Sequence, residues 1–184
     1  MGYAGGTIRN PSYHNIGDYS ETVQIDFDPQ QISYTELLDT FWKGHSPVYE
    51  PISTQYKSAI FYHNEEQKRL AEEGKEQQAA CRKTTIYTEV YPAGQFYLAE
   101  DYHQKYMLSR FPDILKEYKT IYPDLKDFIN STAVARVNGY LGGHMTVTEL
   151  KKQLDDLGLS EAGKQRLIRA AGKEREYAGF TCGP

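Results

Sequence analysis

Near its start the chain combines a glycine-rich turn with a tyrosine and a carboxylate, residue types that could bind and protonate a small polar group. The turn is Gly2-Tyr3-Ala4-Gly5-Gly6, the tyrosine is Tyr13 in Asn10-Pro11-Ser12-Tyr13, and the carboxylate is Glu21 at the start of a predicted strand. A phenol can donate a hydrogen bond, and a carboxyl group can carry an acid proton. The combination predicts a small polar pocket, although spacing alone also fits a packing tyrosine and a strand-entry carboxylate.

The histidines and cysteines do not form a pattern that would hold a metal ion. Cys81 falls inside a charged helical stretch and is expected to be a structural or surface residue. Cys182 lies in a glycine-flanked tail, which could reach a distant site or simply expose a thiol. The five histidines show no metal-ligand spacing with cysteine or with one another: His14, His45, His63, His103 and His144. We therefore expect no metal.

Composition narrows the class of protein. The chain has 184 residues, a formal net charge of -4 and only two cysteines. This length fits one domain, or one domain with a tail. No basic stripe suggests a nucleic-acid partner, and no apolar run is long enough for a membrane span. Few cysteines favour a reducing compartment, so we expect a cytoplasmic protein.

The first ninety residues predict alternating strands and helices. Residues 22–27 alternate as a half-buried strand, and Ser33-Tyr34-Thr35-Glu36 is a capping box that opens a helix. The apolar run at 57–62 predicts a central strand. Asn64 caps a charged helix that ends near Arg82, and residues 85–91 alternate again. This order predicts an α+β fold.

The remainder predicts interrupted helices. Pro112 and Pro123 suit first turns of helices. The glycines in Asn138-Gly139-Tyr140-Leu141-Gly142-Gly143 predict a break, and two helical stretches follow at about 147–157 and 160–172.

Several of these motifs, in this order, resemble the peptide methionine sulfoxide reductases of the A type over roughly residues 2–108. Two of them are the glycine-rich turn and the Tyr13 segment described above. The others are the run from Glu21 to Pro29, the helix from Ile32 to Trp42, Thr54-Gln55-Tyr56-Lys57-Ser58-Ala59-Ile60, and Ala99-Glu100-Asp101-Tyr102-His103-Gln104-Lys105-Tyr106. The resemblance implies a ferredoxin-like two-layer sandwich with a mixed sheet and helices on one side. It divides the chain into a reductase-like core at 1–108 and a helical C-terminal extension at 109–184.

The resemblance also implies a reaction. Members of this family reduce the S epimer of methionine sulfoxide, free or in proteins, and so repair oxidised methionine. A cysteine thiolate attacks the sulfoxide sulfur, and a recycling thiol or thioredoxin resolves the sulfenic acid, without a metal or organic cofactor. Glu21 matches the family's acid, and Tyr13 and Tyr56 match the tyrosines that bind the sulfoxide oxygen. Desolvation keeps a carboxyl group protonated in a water-poor aromatic pocket, which suits this chemistry.

Three positions depart from the family pattern. The family's nucleophile lies in a Gly-Cys-Phe-Trp motif ahead of the glycine-rich turn, and these 184 residues do not contain that motif. Pro51 stands where the family usually has an acidic residue, with Glu50 beside it. Leu141 replaces the recycling cysteine of a Gly-Tyr-Cys-Gly site, which leaves Cys182 as the candidate recycling thiol.

These departures lead to two readings of the function. In the first, the chain is an N-terminally shortened reductase that is inactive as it stands, with a mitochondrial location open if a targeting segment precedes it. In the alternative, it is a catalytically dead module that binds methionine sulfoxide or a protein partner.

Overall fold

The computed structural model describes residues 1–171, and this part of the chain forms two compact units, residues 1–99 and 100–171. The predicted α+β class is confirmed. The expected boundary between core and extension, after residue 108, falls inside the second unit.

The first unit contains two small sheets and two long helices. Its elements are β1 (Gly2–Ala4), β2 (Ser20–Thr22), α1 (Tyr34–Lys43), β3 (Ala59–Tyr62), α2 (Glu65–Arg82), β4 (Glu89–Pro92) and β5 (Tyr97–Leu98). An antiparallel sheet has the order β2-β1-β5, and β3 pairs with β4 in parallel. Because parallel strands need a crossover, α2 connects β3 to β4.

Both helices begin where the sequence predicts. Ser33 and Glu36 form the predicted capping box of α1, and Gly44 ends the helix. The Asn64 side chain accepts a hydrogen bond from the Gln67 backbone amide and caps α2. These caps satisfy backbone amides that have no partner within the helix.

The predicted strand at 22–27 is wrong in its extent, because β2 ends at Thr22. Thr22 pairs with Gly2 at the end of the β1 register, and no strand among the described residues lies beside the segment that follows. The side chains of Val23 and Ile25 are consequently 66% and 56% exposed. Alternation indicates which side chains share a face, but a strand also needs a partner.

The predicted strand at 85–91 is likewise shorter, since pairing with β3 begins at Glu89. Ile86 and Thr88 are nevertheless buried, as their alternation predicts. The Tyr87 amide donates to the Pro47 carbonyl over 2.8 Å, so this segment approaches β4 along a loop.

Buried apolar side chains in the first unit form two separate clusters. One contains Tyr3, Tyr19 and Ala99, and the other contains Leu38, Trp42, Ile60, Ala71 and Ile86. A cavity of about 210 Å³ lies among residues 22–27, α1 and β3.

A hydrogen-bonded histidine adjoins the second cluster. His45 Nδ1 lies 2.8 Å from the Phe41 carbonyl oxygen, and its Nε2 lies 2.8 Å from Ser58 Oγ. Ser58 Oγ is in turn 2.7 Å from the hydroxyl of buried Thr88. Because a carbonyl only accepts, Nδ1 carries the hydrogen in the neutral ring.

The described part of the second unit consists of helices joined by short turns and loops, with no strand. Its helices are α3 (Tyr106–Ser109), α4 (Pro112–Ile121), α5 (Leu125–Asn130), α6 (Thr132–Leu141), α7 (Val147–Gln153) and α8 (Glu161–Ala171). Pro112 opens α4 as predicted, whereas Pro123 lies ahead of the first turn of α5, which Asp124 caps. Gly158, at φ +71°, separates the last two helical stretches.

The break predicted at 138–143 occurs only at the end of that run, because α6 continues through Gly139 to Leu141 and is capped by Gly142. Val134, Val137 and Tyr140 are buried at helical spacing. The Asn138 side chain also accepts a hydrogen bond from the Leu108 amide over 3.1 Å. Packing of one helix face therefore outweighs the unfavourable helix propensity of glycine, about 1 kcal/mol.

Cys81 is exposed on α2 and is disulfide-bonded, while Cys182 lies outside the described residues. Among residues 1–171, no helix combines the length and apolar character that crossing a bilayer requires.

Candidate active site

The loop that carries Tyr13 is closed at its base by side-chain hydrogen bonds. Thr7 donates from its backbone nitrogen and its hydroxyl to the Asp18 carboxylate, each over 2.9 Å. These bonds favour the ionised carboxylate and lower the pKa of Asp18. The Tyr19 hydroxyl donates to the Ile8 carbonyl over 3.0 Å. The two ends of the loop are therefore held together.

The glycine-rich turn allows close approach at this base. Gly5 has a φ of +81°, a conformation that glycine adopts without steric cost. Gly6 lies against the ring of buried Tyr19, where a Cβ atom would overlap the ring. Gly5 thus permits the turn at the start of the loop, and Gly6 permits close packing against Tyr19 at its base.

Tyr13 lies at the tip of this loop. Ser12 and Asn15 exchange backbone hydrogen bonds around it, at 3.0 and 3.3 Å. Its ring packs edge-on against His14, with ring centroids 5.4 Å apart. Tyr13 remains 36% exposed, so its ring faces solvent as well as its neighbours.

Glu21 is positioned by β2 and by a contact across the unit. It pairs with Tyr3 of β1 in the antiparallel register. The adjacent Ser20 is buried and donates its hydroxyl to the Thr54 carbonyl over 2.8 Å. Because Thr54 begins a 3₁₀ turn that ends at Tyr56, this bond brings β2 beside Gln55 and Tyr56.

The three side chains predicted from the sequence lie together in one cluster. Gln55 Nε2 donates to Glu21 Oε1 over 2.7 Å and to the Tyr56 hydroxyl oxygen over 3.0 Å. The Tyr56 and Tyr13 side chains are hydrogen-bonded to each other. A continuous hydrogen-bonded chain therefore runs from Tyr13 through Tyr56 and Gln55 to Glu21.

Electrostatics in this cluster favour the neutral phenol of Tyr56. Its pKa is raised, first by the hydrogen bond to Tyr13, then by desolvation and the nearby charge of Glu21, while Gln55 acts in the opposite direction. Tyr56 thus keeps its hydroxyl hydrogen and can donate it.

The cluster is open, unlike the water-poor pocket that the sequence led us to expect. Tyr56 is 63% exposed, and Glu21 is only partly buried. The 210 Å³ cavity is lined by other residues, although Thr22, which follows Glu21, borders it. A bound ligand would therefore have to exclude water from the cluster.

Gln55 is the member of the cluster that sequence reasoning missed. The usable signal was an amide directly beside the matched tyrosine in Thr54-Gln55-Tyr56.

Glu50 and Pro51, the candidates for the family's acidic position, are both exposed. Within residues 1–171, the Glu50 carboxylate has neither a hydrogen bond nor an ion pair. In the same part of the chain, no group of histidine, cysteine, aspartate and glutamate side chains could hold a metal ion.

This arrangement can bind a dipolar oxygen. Two phenols offer hydrogen-bond donors beside one carboxyl group, and the Gln55 amide contacts Glu21 and Tyr56. The aromatic rings offer apolar surface beside the polar tips. A small ligand with one strong acceptor and an apolar remainder fits such a site.

Comparison with known proteins shows which family the chain resembles. Residues 1–137 match the family model described as peptide methionine sulfoxide reductase. Over 167 residues the chain is 39% identical to a peptide methionine sulfoxide reductase of Drosophila melanogaster, covering 90% of this chain and 67% of that protein. It is 36% identical to peptide methionine sulfoxide reductase A5 of rice, Oryza sativa subsp. japonica, covering 85% of this chain and 65% of the relative.

A shorter relative and a solved structure agree. The chain is 41% identical to MsrA of Methanosarcina acetivorans, covering 65% of this chain and 70% of that protein. Reduced Mxr1 of Saccharomyces cerevisiae is similar with a TM-score of 0.55 and 30% identity, covering 60% of this chain and 69% of that one. The chain thus spans roughly two thirds of each of these proteins. It belongs to the peptide methionine sulfoxide reductase family.

Proposed function

We propose that the chain supplies the sulfoxide-binding and acid groups of a peptide-methionine (S)-S-oxide reductase. Its substrates would be methionine S-sulfoxide in oxidised proteins and the free amino acid. The observation that carries the proposal is the single hydrogen-bonded cluster of Tyr13, Tyr56, Gln55 and Glu21. Membership of the family supports it.

A sulfoxide suits these side chains because its oxygen is a strong acceptor and its carbon substituents are apolar. The hydroxyls of Tyr13 and Tyr56 would donate to the oxygen, and their rings would contact the S-methyl group. Each such hydrogen bond contributes about 1 kcal/mol net. Bound substrate would also displace water from the exposed Tyr56 ring.

Glu21 would act as the acid. A sulfoxide oxygen leaves sulfur readily only once it is protonated, so a carboxyl proton would pass to the oxygen as a thiol attacks the sulfur. One thiol and one sulfoxide then yield one sulfenic acid and one thioether, and the thioether is methionine. The cysteine is oxidised and the substrate is reduced.

The reducing equivalents would come from thiols. A recycling cysteine, for which Cys182 is the candidate when both cysteines of the chain are reduced, or an external dithiol protein such as thioredoxin in the cytoplasm would reduce the sulfenic acid with release of water. No metal or organic cofactor takes part in these steps. Neither Cys81 nor Cys182 lies in a Gly-Cys-Phe-Trp motif, so we propose that these 184 residues alone bind the sulfoxide without turning it over.

Calorimetric titration with the separated epimers of N-acetylmethionine sulfoxide methylamide tests binding. We expect the S epimer to bind the 184-residue chain at least about tenfold more tightly than the R epimer, a difference of 1.4 kcal/mol. Tyr13→Phe, Tyr56→Phe and Glu21→Gln should each weaken S-epimer binding by about five- to tenfold. The matched control is Tyr49→Phe, because Tyr49 is highly exposed and lies outside the cluster. Equal, weak binding of both epimers would refute the proposal.

The alternative is a binding module that never performs turnover. It is favoured by one observation, namely that the binding groups are assembled although neither cysteine has the family's nucleophile motif. Both readings predict binding and no reduction by this chain in dithiothreitol. The coding sequence ahead of Met1 separates them. An in-frame Gly-Cys-Phe-Trp motif supports the reductase, and a stop codon without such a motif supports the binder.

A further inference from the structure

The Gln55 side chain connects the acid to one of the sulfoxide-binding phenols. Its Nε2 group donates one hydrogen to Glu21 Oε1 over 2.7 Å and the other to the Tyr56 hydroxyl oxygen over 3.0 Å. Gln55 itself is partly buried, whereas Tyr56 is exposed. The amide therefore contacts both Glu21 and Tyr56 from a less exposed position than that of Tyr56.

We propose that Gln55 is a positioning residue that directs the acid proton of Glu21 and the hydroxyl hydrogen of Tyr56 towards the same sulfoxide oxygen. The inference rests on the proposed function. It assigns Gln55 no contact with the substrate, because the amide acts through its two neighbours.

The amide orientation follows from its partners. An ionised carboxylate accepts hydrogen bonds and cannot donate, so the group facing Glu21 must be the amide nitrogen. An amide oxygen at the same place would be repelled by the carboxylate. The second hydrogen of the same nitrogen then points to the Tyr56 oxygen.

For Glu21, this bond determines which oxygen carries the proton. Oε1 accepts from Gln55 when the carboxylate is ionised, and as a carbonyl oxygen it still accepts when the group is protonated. The acid proton consequently resides on Oε2. Without the amide, both oxygens could hold the proton, and only one of the two arrangements would present it to the substrate.

For Tyr56, the bond determines the direction of the hydroxyl hydrogen. The oxygen receives the Gln55 amide hydrogen, so its own hydrogen must point elsewhere. Tyr13 is the other side chain to which Tyr56 is hydrogen-bonded. A sulfoxide oxygen placed between the phenols would accept the same hydrogen.

The test replaces Gln55 with a side chain of similar length that cannot donate. Gln55→Met should weaken binding of the S-sulfoxide by about tenfold while leaving the weak binding of reduced N-acetylmethionine methylamide unchanged. Gln55→Asn, which keeps the amide but shortens its reach, should restore binding only in part. Gln77→Met, at an exposed position on α2, is the matched control and should bind as the parent chain does.

A second readout separates positioning from simple packing. The phenol titration of Tyr56 can be followed by NMR in protein with ring-labelled tyrosine, using Tyr56→Phe for assignment. Loss of the amide donor should raise the pKa of Tyr56 further, because the donor favours the phenolate. An apolar methionine also adds desolvation, which raises the same pKa, so Gln55→Asn is measured beside it. Gln55→Asn keeps the surroundings polar and should still raise the pKa of Tyr56, because its shorter amide reaches the phenol oxygen less well.

The outcomes separate the two claims. Failure of the parent chain to distinguish the S-sulfoxide from the thioether would refute the proposed function and, with it, this inference. Parent-like sulfoxide binding and an unchanged Tyr56 titration in Gln55→Met would refute the inference alone. Thermal melting of each variant checks that it is folded. If Gln55→Met does not fold, Gln55→Asn provides the same test.

Discussion

In the second unit, the buried apolar side chains of α3 to α8 form one continuous cluster, whereas in the first unit they form two clusters beside an open cavity. The second unit buries large side chains completely, among them Tyr118 and Leu167. The first exposes Val23 and Ile25 next to its cavity. The candidate active site lies in the less closely packed unit.

This difference shows how the site is held. Hydrogen bonds connect its segments, through Ser20 to Thr54 and through Thr7 to Asp18, with little apolar packing around Tyr56. Stability of the second unit should therefore depend on side-chain volume. Near the candidate site, both the stability of the first unit and the positions of the side chains should depend on individual hydrogen-bonding atoms.

The largest effect is expected from a cavity in the helical core. Leu167→Ala should lower the free energy of unfolding by about 3 kcal/mol, because a fully buried leucine leaves a void. Val23→Ala should change it by less than about 0.5 kcal/mol, since that side chain is exposed. Urea unfolding followed by far-ultraviolet circular dichroism measures both. If Leu167→Ala and Val23→Ala lowered the free energy of unfolding by similar amounts, the two units would not differ in their dependence on side-chain volume.

A smaller effect is expected from one buried hydroxyl in the first unit. Ser20→Ala should cost about 1–2 kcal/mol, because the change removes the part-buried hydrogen bond from the buried Ser20 hydroxyl to the Thr54 carbonyl. Trp42 is the only tryptophan and is buried in this unit, so its fluorescence reports unfolding there. Exposed Ser46→Ala is the control. S-sulfoxide binding should weaken in Ser20→Ala alone, and unchanged binding would show that this hydroxyl does not position Glu21.

Motif order led to the prediction that Tyr13, Glu21 and Tyr56 are the site residues. The structure brings these three side chains together, and their roles in binding and catalysis stay predictions. Gln55 was missed because its importance depends on a contact between segments 34 residues apart. Patterning does not encode such contacts.

Two local patterns were misread for physical reasons. Alternation at 22–27 indicates a strand-like segment but not whether a neighbouring strand is present to pair with it. The glycines near Tyr140 indicate weak helix propensity, yet burial of Val134, Val137 and Tyr140 continues the helix. Caps such as Ser33 and Asn64 were predictable because their partners are only three residues away.

The smallest expected effect is a pH dependence in the first unit. Burial lowers the pKa of His45, with the Arg82 guanidinium acting in the same direction and the Phe41 carbonyl opposing it. The unfolded chain then binds the proton more readily than the folded one. Stability should be fully present above about pH 6.5, the ordinary imidazole value, and should fall as pH drops towards the folded pKa.

Trp42 fluorescence in urea at a series of pH values measures this dependence. His45→Gln should flatten the slope between neutral and mildly acid pH, whereas exposed His63→Gln should keep it. If the parent chain, His45→Gln and His63→Gln all showed the same slope, the pH dependence would arise from groups other than His45.

The most direct test of the account is the position of the bound sulfoxide. Isotope-filtered NMR on the complex with the S epimer of N-acetylmethionine sulfoxide methylamide measures contacts between its S-methyl protons and assigned aromatic rings. We predict nuclear Overhauser effects from that methyl group to the rings of both Tyr13 and Tyr56. Contacts to a different surface, with none to either ring, would contradict the assignment of this cluster as the sulfoxide site.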